Sequence, residues 1–121
     1  MPHIKLEHTE NIDQSIIKPL FKQLKIILIK NVGVNEENCK CKAFLIPVYS
    51  VGKGDSASKC FYHLEISLLK GRSKEIRQII GQKSLKLIKE YFKDKNGERL
   101  QQFSVEIREM NPKNYFTSNT L

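Results

Sequence analysis

Apolar and polar residues alternate in two separate stretches of this chain, residues 3–7 and residues 63–67. In the first stretch Ile4 and Leu6 are the apolar members, and the second stretch repeats the same phase sixty positions later. Side chains of a β-strand point alternately to the two sides of its sheet, so this pattern predicts strands with one buried face. The shared phase indicates an internal duplication.

Each of these strands is followed by apolar residues at helical spacing. In the first half Leu20, Leu24 and Leu28 recur every four residues, which predicts a helix with one apolar face. Pro19 suits the first helical position, where its missing N–H leaves no hydrogen bond unmade. Gly33 stands where this helix is expected to end, because glycine readily adopts the left-handed conformation that closes a helix.

The second half contains a longer helical pattern. Ser73 is a favourable N-cap, and Glu75 places a negative charge near the positive end of the helix dipole. Asn96 and Gly97 are expected to end this helix. Its apolar face is marked by Ile76, Ile80, Leu87, Ile88 and Tyr91.

Two further strands complete the pattern. Residues 44–49 are apolar and partly β-branched, and Pro47 within them predicts the edge of a sheet or a bulge. Residues 103–107 alternate apolar and polar side chains and predict the last strand. Between the halves, residues 52–58 predict a mobile loop, because their glycines and lysine lack the spacing of a phosphate-binding loop.

The predicted order is therefore strand–helix–strand in each half, an α/β (α+β) fold. Right-handed crossovers would make the two strands of each half parallel, and two such units fit one four-stranded sheet with both helices on one face. We expect a single domain over residues 1–121, with βαβ units at about residues 2–50 and 60–110 and a tail at 111–121. The polar face of the sheet is expected to be covered by oligomerisation.

Composition adds a positive charge to this picture. Lysine and arginine number 21 against 13 acidic residues, which gives a formal net charge of +8. The lysines are spread through the chain without regular aromatic interleaving, so they indicate a solvated basic surface or a binder of small anions rather than a nucleic-acid-binding motif. No apolar run is long enough to span a membrane, and no signal-peptide pattern precedes the first strand. A cytoplasmic protein is expected.

Cysteine and histidine form no recognised metal pattern. Three cysteines in a chain expected in the cytoplasm argue against a disulfide framework, and a zinc site needs more ligands at suitable spacing. Plain thiols, without a metal or another cofactor, are the expectation. The residues concerned are Cys39, Cys41, Cys60, His3, His8 and His63.

The N-terminus carries the strongest candidate chemistry. Met1 precedes a small residue, so removal of the initiator methionine would leave Pro2 with a free secondary amine. A primary α-amine has an ordinary pKa near about 7.7–8.0, and nearby cations or a dry pocket lower such a pKa toward the range useful for a general base. Alternatively, Pro2 is simply a common second residue.

Several features, taken together, resemble the tautomerase superfamily. They are Pro2 behind the initiator methionine, the duplicated βαβ unit, and a last strand over residues 105–109 followed by Asn111 and Pro112. A longer match, which covers nearly the whole chain, is similar to the 5-carboxymethyl-2-hydroxymuconate isomerase family. It comprises Pro2-His3 leading to Glu7, Asn11-Ile12, Gly71-Arg72-Ser73 with Arg77-Gln78, and residues 103–107.

The resemblance implies a cofactor-free isomerase that is a trimer in members with a duplicated subunit. The processed proline acts as general base and then as general acid, and it converts a 2-hydroxy-dienoate into the 2-oxo isomer. Cationic side chains hold the carboxylates of the substrate, 5-carboxymethyl-2-hydroxymuconate. The pathway implied is the bacterial breakdown of homoprotocatechuate.

The resemblance also assigns site residues by position. Pro2 matches the catalytic proline, and Arg72 matches the arginine of the Gly-Arg-Ser turn, whose planar fork suits a carboxylate. The second arginine of the family falls near Lys40 or Lys42, where a lysine keeps the charge but loses the bidentate geometry.

The second half of the chain has no equivalent of the terminal amine. Tyr62 holds the position that Pro2 holds in the first half, so one active site per chain is implied. Tyr115 or Phe116 would wall the pocket from a neighbouring subunit, or else pack as a tail aromatic against its own subunit or a neighbour.

Two alternatives stay open for this site. The lysines at the second arginine position favour a related tautomerase with another 2-oxo or 2-hydroxy-dienoate substrate. Retention of Met1 would leave an amide at Pro2, which favours a catalytically silent trimeric binding protein on the same scaffold. Nucleic-acid binding rests on charge alone and predicts an affinity that falls steeply with salt.

Overall fold

The chain folds into a four-stranded sheet with two long helices. A computed structural model describes residues 1–53, 58–95 and 99–120. Two single-turn 3₁₀ helices, Glu36–Asn38 and Pro112–Asn114, precede the second strand and follow the last strand. The strands and long helices are β1 (His3–His8), α1 (Gln14–Val32), β2 (Lys40–Leu45), β3 (Lys59–Leu69), α2 (Lys74–Phe92) and β4 (Leu100–Met110).

The strand order in the sheet is β2-β1-β3-β4. β1 runs parallel to β2, β3 runs parallel to β4, and the two halves meet through the antiparallel pair β1–β3. Lys5 lies opposite Glu65 in this central pair. The predicted fold, two βαβ units that share one sheet with both helices on one face, is confirmed.

The core lies between the helices and one face of the central strands. Alternate residues of β1 and β3 are buried, as the alternation in the sequence predicts. The aromatic ring of Tyr62 is stacked between the rings of Phe92 and Phe103, with centroid distances of 4.3 and 5.1 Å. The fully buried apolar side chains are Pro2, Ile4, Leu6, Leu20, Leu24, Leu28, Cys60, Tyr62, Leu64, Ile66, Ile80, Ile88 and Phe92.

The internal duplication extends to the helices. α1 and α2 each contain 19 residues, and their first residues lie sixty positions apart. Ser73 caps α2 by accepting a hydrogen bond from the backbone N–H of Ile76, as predicted. Gly33 ends α1 in the left-handed conformation with φ 79°, and its N–H donates to the carbonyl of Ile29.

The predicted start of α1 is wrong by about one turn. The helix begins at Gln14, because the Asp13 side chain accepts a hydrogen bond from the backbone N–H of Ser15 and caps the helix there. Pro19 therefore lies inside the helix instead of at its first position. A proline at that place removes one backbone hydrogen bond of the helix.

The predicted position of the second strand is also wrong. β2 covers Lys40–Leu45 rather than residues 44–49, because its register with β1 runs from His3–Lys40 to His8–Leu45. The apolar residues that suggested the later strand are largely exposed at the sheet edge, with Val48 87% exposed. Pro47 lies beyond the strand.

Two predictions fall partly or wholly outside the described residues. Asn96 and Gly97, expected to end the second helix, lie outside them, and α2 itself ends at Phe92. Residues 54–57 of the predicted loop also lie outside them.

The sheet face opposite the helices is polar and carries several ion pairs. Glu65 lies 3.7 Å from both Lys5 and Arg108, and the Nδ1 atom of His63 lies 2.6 Å from the Ser104 hydroxyl. Glu106 pairs with Arg108 and lies 3.6 Å from His63 Nε2. Covering of this face by oligomerisation stays a prediction.

The buried core predicts a large stability difference between two matched isoleucines. Ile88→Ala on α2 removes a completely buried side chain, so the free energy of unfolding should fall by about 2–5 kcal/mol. Ile26→Ala on α1 truncates a side chain that is 43% exposed and should cost about 1 kcal/mol or less. Urea denaturation followed by circular dichroism measures both, and equal losses would contradict this placement of the core.

Candidate active site

Pro2 lies at the beginning of β1, at one end of the sheet. Its side chain is completely buried. Its carbonyl accepts a hydrogen bond of 3.0 Å from the backbone N–H of Lys40, which extends the pairing of β1 with β2 by one residue. The α-amine of Met1 donates to the carbonyl of Asn38 at 2.7 Å. With Met1 attached, the Pro2 nitrogen is an amide and cannot take up a proton.

The surroundings of the N-terminus disfavour a protonated amine. Burial, together with the ammonium group of Lys40, holds the pKa of the Met1 amine below its ordinary value, while Cys39 opposes this effect. Both causes act because they raise the energy of the charged form. The position of Lys40 follows from strand pairing and not from methionine, so an amine on Pro2, one residue further along, would still lie close to this cation.

His3 and Tyr115 join the N-terminus to the C-terminal tail. The Nε2 atom of His3 lies 2.9 Å from the Tyr115 hydroxyl, and the two rings meet edge to face with centroids 5.9 Å apart. Burial, Lys40, the terminal amine and Lys42 all lower the pKa of His3. His3 is therefore neutral at neutral pH and can hydrogen-bond to a hydroxyl without a charge.

No pattern in the sequence predicts this particular contact, and His3 has no predicted role. Of the two predictions for Tyr115, a pocket wall in a neighbouring subunit or packing within its own subunit, the contact with His3 agrees with the second, while Phe116 is 87% exposed. The two partners are 112 residues apart. No local pattern reports a contact over that distance.

Lys40 and Lys42 both lie on β2, on the sheet face opposite the helices. Lys40 is paired in register with His3, and Lys42 is paired with Lys5 one alternation further along. Lys42 Nζ lies 6.0 Å from the ring centroid of Phe44. Lys40 is thus the lysine that the register places beside the N-terminus.

Arg72 lies in the turn between β3 and α2, directly before the N-cap Ser73. Its carbonyl accepts a hydrogen bond of 3.0 Å from Arg77 Nη1, and Arg77 also pairs with Glu109 at 3.0 Å. These contacts hold the backbone of the turn. The side chain of Arg72 stays partly exposed at the helix N-terminus, where the dipole already favours an anion.

The topology brings three of the predicted site residues to one end of the sheet. Because β1 and β3 are antiparallel and His3 lies opposite Ser67, the end of β3 lies beside the beginning of β1. Arg72 follows that end of β3, and Lys40 begins β2 next to His3. Pro2, Lys40 and Arg72 therefore lie at the same end of the sheet, whereas Lys42 lies two residues further along β2.

Metal-binding clusters and membrane-spanning helices are both absent from the described residues. Within them, no group of three or more histidine, cysteine, aspartate or glutamate side chains is arranged to hold a metal ion. In the same part of the chain, neither helix is long and apolar enough to cross a membrane.

Comparison with known proteins places the sequence in a family. The family model described as 5-carboxymethyl-2-hydroxymuconate isomerase matches residues 2–121. A search of curated proteins found no significant match.

Solved structures show the same fold at low sequence identity. A 5-carboxymethyl-2-hydroxymuconate isomerase from Deinococcus radiodurans R1 is 23% identical, with a TM-score of 0.85 over 98% of this chain and 90% of that chain. A 5-carboxymethyl-2-hydroxymuconate delta-isomerase is 16% identical, with a TM-score of 0.79 over 98% and 88% of the two chains.

A fused 4-OT wild type symmetric trimer is 11% identical, with a TM-score of 0.76 over 98% of this chain and 94% of that chain. At such identities the likeness to these structures concerns the fold, and the family model carries the assignment. The chain belongs to the 5-carboxymethyl-2-hydroxymuconate isomerase family and is an isomerase of the tautomerase fold.

Proposed function

We propose that this chain, after excision of Met1, converts 5-carboxymethyl-2-hydroxymuconate into its 2-oxo isomer without a cofactor. Pro2 is the general base and then the general acid. The observation that supports the proposal is the position of Pro2 at the start of β1 beside Lys40, where burial and this lysine lower the pKa of the Met1 amine.

The reaction needs one proton carrier. The free amine of Pro2 removes the proton of the 2-hydroxyl group, and the electrons of that O–H bond form the 2-oxo group. The double bonds shift along the dienoate, and the protonated amine returns its proton to the distant carbon. One proton is taken and one is given back, so the sum of atoms and electrons is unchanged. A lowered pKa keeps the amine free at neutral pH for the first step.

Two cations at the same end of the sheet would hold the anionic substrate. Arg72 presents a planar fork that suits a carboxylate, and it lies at a helix N-terminus that also favours negative charge. Lys40 supplies a second positive charge next to the amine. These charges stabilise the enolate that develops on the substrate as well as its carboxylates. The formal net charge of +8 would steer such an anion toward the protein.

We also propose a homotrimer and a cytoplasmic location. The sheet face opposite the helices carries ion pairs on half-exposed side chains, and a symmetric assembly would shield it from water. One solved structure of the same fold is described as a trimer.

A related tautomerase activity on another 2-hydroxy-dienoate is the second candidate. The observation that favours it is the lysine at position 40, because an ammonium group lacks the two-point geometry that selects a particular carboxylate. Comparable turnover of a simple dienol and of the carboxymethyl compound would favour this candidate. A catalytically silent binding protein would instead turn over neither compound after Met1 has been removed.

Replacement of the proposed base tests the proline mechanism. In protein whose intact mass lacks Met1, Pro2→Ala should lower kcat/KM for dienol ketonisation by about a hundredfold or more, because general acid–base catalysis contributes at about that level. Pro47→Ala changes an exposed proline outside the strands and is the matched control. Equal activity of the Pro2 variant and the wild type would contradict the proposal.

The charge of Lys40 should be visible in the pH dependence of the reaction. Lys40 lowers the pKa of the Met1 amine at this strand end, so Lys40→Gln should raise the pKa of the Pro2 amine in the processed protein. The free amine is the active form, and the acidic limb of kcat/KM should therefore move to higher pH, by roughly half a pH unit. Lys22→Gln, an exposed change on α1, should leave the profile in place. A shift to lower pH in Lys40→Gln would refute this assignment.

Arg72 should affect substrate binding more than proton transfer. Arg72→Gln removes a charge-assisted contact to a carboxylate, so KM should rise about tenfold to a hundredfold. Lys83→Gln removes the same charge from an exposed position of α2 and should leave KM unchanged. Steady-state kinetics with 5-carboxymethyl-2-hydroxymuconate, which has three carboxylates, and with a monocarboxylate dienol compare the two variants. An unchanged KM for both substrates in Arg72→Gln would exclude this role.

A further inference from the structure

A cavity lies at the other end of β1 from Pro2. The cavity has a volume of about 430 Å³ and lies between the first half of α1 and the edge strand β2. Neither Pro2, Lys40 nor Arg72 lines it. The lining residues are His8, Asn11, Ile12, Gln14, Ile17, Lys18, Phe21, Cys41, Lys42, Ala43 and Leu45.

The cavity lies in the first βαβ unit, and the packing of helix against strand differs there from the packing in the second unit. In the second half α2 lies directly against β4, whereas α1 makes few contacts with β2. Gly81 of α2 lies against β4, where a Cβ atom would meet Ile107 Cγ1 at an ordinary contact distance of 3.6 Å. Phe21 stands at the corresponding position of α1 and lines the cavity.

In the second half, an ion pair between α2 and β4 fills the position that corresponds to the cavity. Arg77 on α2 pairs with Glu109 on β4 at 3.0 Å and also donates to the carbonyl of Arg72. In the first half the corresponding positions are occupied by Ile17 and Leu45, which line the cavity instead of bridging it. The first half thus has an open space with apolar walls where the second half has an ion pair.

One buried polar group in the lining has an unused hydrogen-bonding atom. His8 is only 3% exposed, and its Nδ1 atom lies 2.7 Å from the carbonyl of Glu10. A carbonyl oxygen can only accept, so Nδ1 carries the hydrogen, and in the neutral ring Nε2 is an acceptor. Among the described residues Nε2 has no partner. A ligand that donates a hydroxyl hydrogen would satisfy it.

The charges around the cavity favour an anion. Two lysines line the cavity. Lys18 lies on α1, and its side chain is exposed. Lys42 lies on β2 at a position that faces the opposite side of the sheet. No acidic side chain lines the cavity. The Asp13 carboxylate caps α1 between the lining residues Ile12 and Gln14, so the positive charge at the cavity comes from lysine and not from the helix end.

The thiol in the lining indicates non-covalent binding. Burial raises the pKa of Cys41 to about 11. The thiolate is the nucleophilic form of cysteine, so a thiol with this pKa is unreactive at neutral pH. Cys41 therefore contributes contact surface to the cavity and does not act as a nucleophile there.

We propose that this cavity binds a small carboxylate with an apolar body and a hydroxyl group. The hydroxyl donates to His8 Nε2, the carboxylate faces Lys18, and the apolar body packs against Ile17, Phe21 and Ala43. A volume of about 430 Å³ lies within the range of about 300–1,000 Å³ that is usual for small-molecule sites. This site is independent of the isomerase site and does not rest on its proposed mechanism.

Titration of the ¹⁵N-labelled full chain with 4-hydroxybenzoate tests the proposal. Amide signals of α1 and β2 around the cavity should shift, while those near Arg72 should stay in place. Benzoate lacks the hydroxyl and 4-hydroxybenzamide lacks the charge, so each should bind about tenfold more weakly than 4-hydroxybenzoate. Lys18→Glu should weaken 4-hydroxybenzoate binding by a similar factor, whereas Lys22→Glu, an exposed change on the same helix, should not.

Several outcomes would overturn the proposal. Equal affinity for the three compounds, or equal loss in the two lysine variants, would mean that the proposed contacts do not form. No shift at millimolar ligand would mean that the cavity takes no such molecule. Protection of the cavity amides from a soluble paramagnetic probe in the ligand-free protein would mean that a second copy of the chain covers the cavity.

Discussion

The antiparallel pairing of β1 with β3 is the constraint on which the rest of the structure depends. It joins two βαβ units that each bury only one face, and it places Lys5 opposite Glu65 at the centre of the sheet. A shift of one residue in this register would turn the apolar side chains of β1 toward the polar face. The same register brings the beginning of β1, the beginning of β2 and the turn after β3 to one end. The positions of Pro2, Lys40 and Arg72 are therefore consequences of strand pairing.

The duplicated halves have diverged in a way that separates their roles. Tyr62, the counterpart of Pro2, lies in the core between two aromatic rings and carries no terminal amine. At that end of the sheet Arg99 contacts Glu10 and Tyr49, which ties the turn after β1 to the beginning of β4. One end of the sheet thus holds the N-terminus beside Lys40, and the other end is closed by packing and hydrogen bonds. A similar divergence leaves a cavity beside α1 and an ion pair beside α2.

Much of the fold is predictable because it depends on local patterns. The alternation around Ile4 and Ile66, the cap at Ser73 and the glycine at position 33 each report a feature that lies within a few residues. The prediction fails for β2, because the limits of this strand are set by its pairing with β1 and not by its own residues. The apolar residues that suggested a later strand are exposed at the edge of the sheet. The contact of His3 with Tyr115 and the cavity between α1 and β2 depend on packing between distant segments, so no local pattern predicts them.

The central claim is that Pro2 carries a free amine whose pKa is lowered by the strand end. Direct titration of ¹⁵N-labelled proline in the processed protein measures this property at the reacting atom. The account predicts a Pro2 nitrogen signal that titrates, with a pKa below that of an N-terminal proline in an unfolded peptide of the same sequence. A nitrogen that behaves as an amide at every pH, or a pKa at or above the peptide value, would contradict the account.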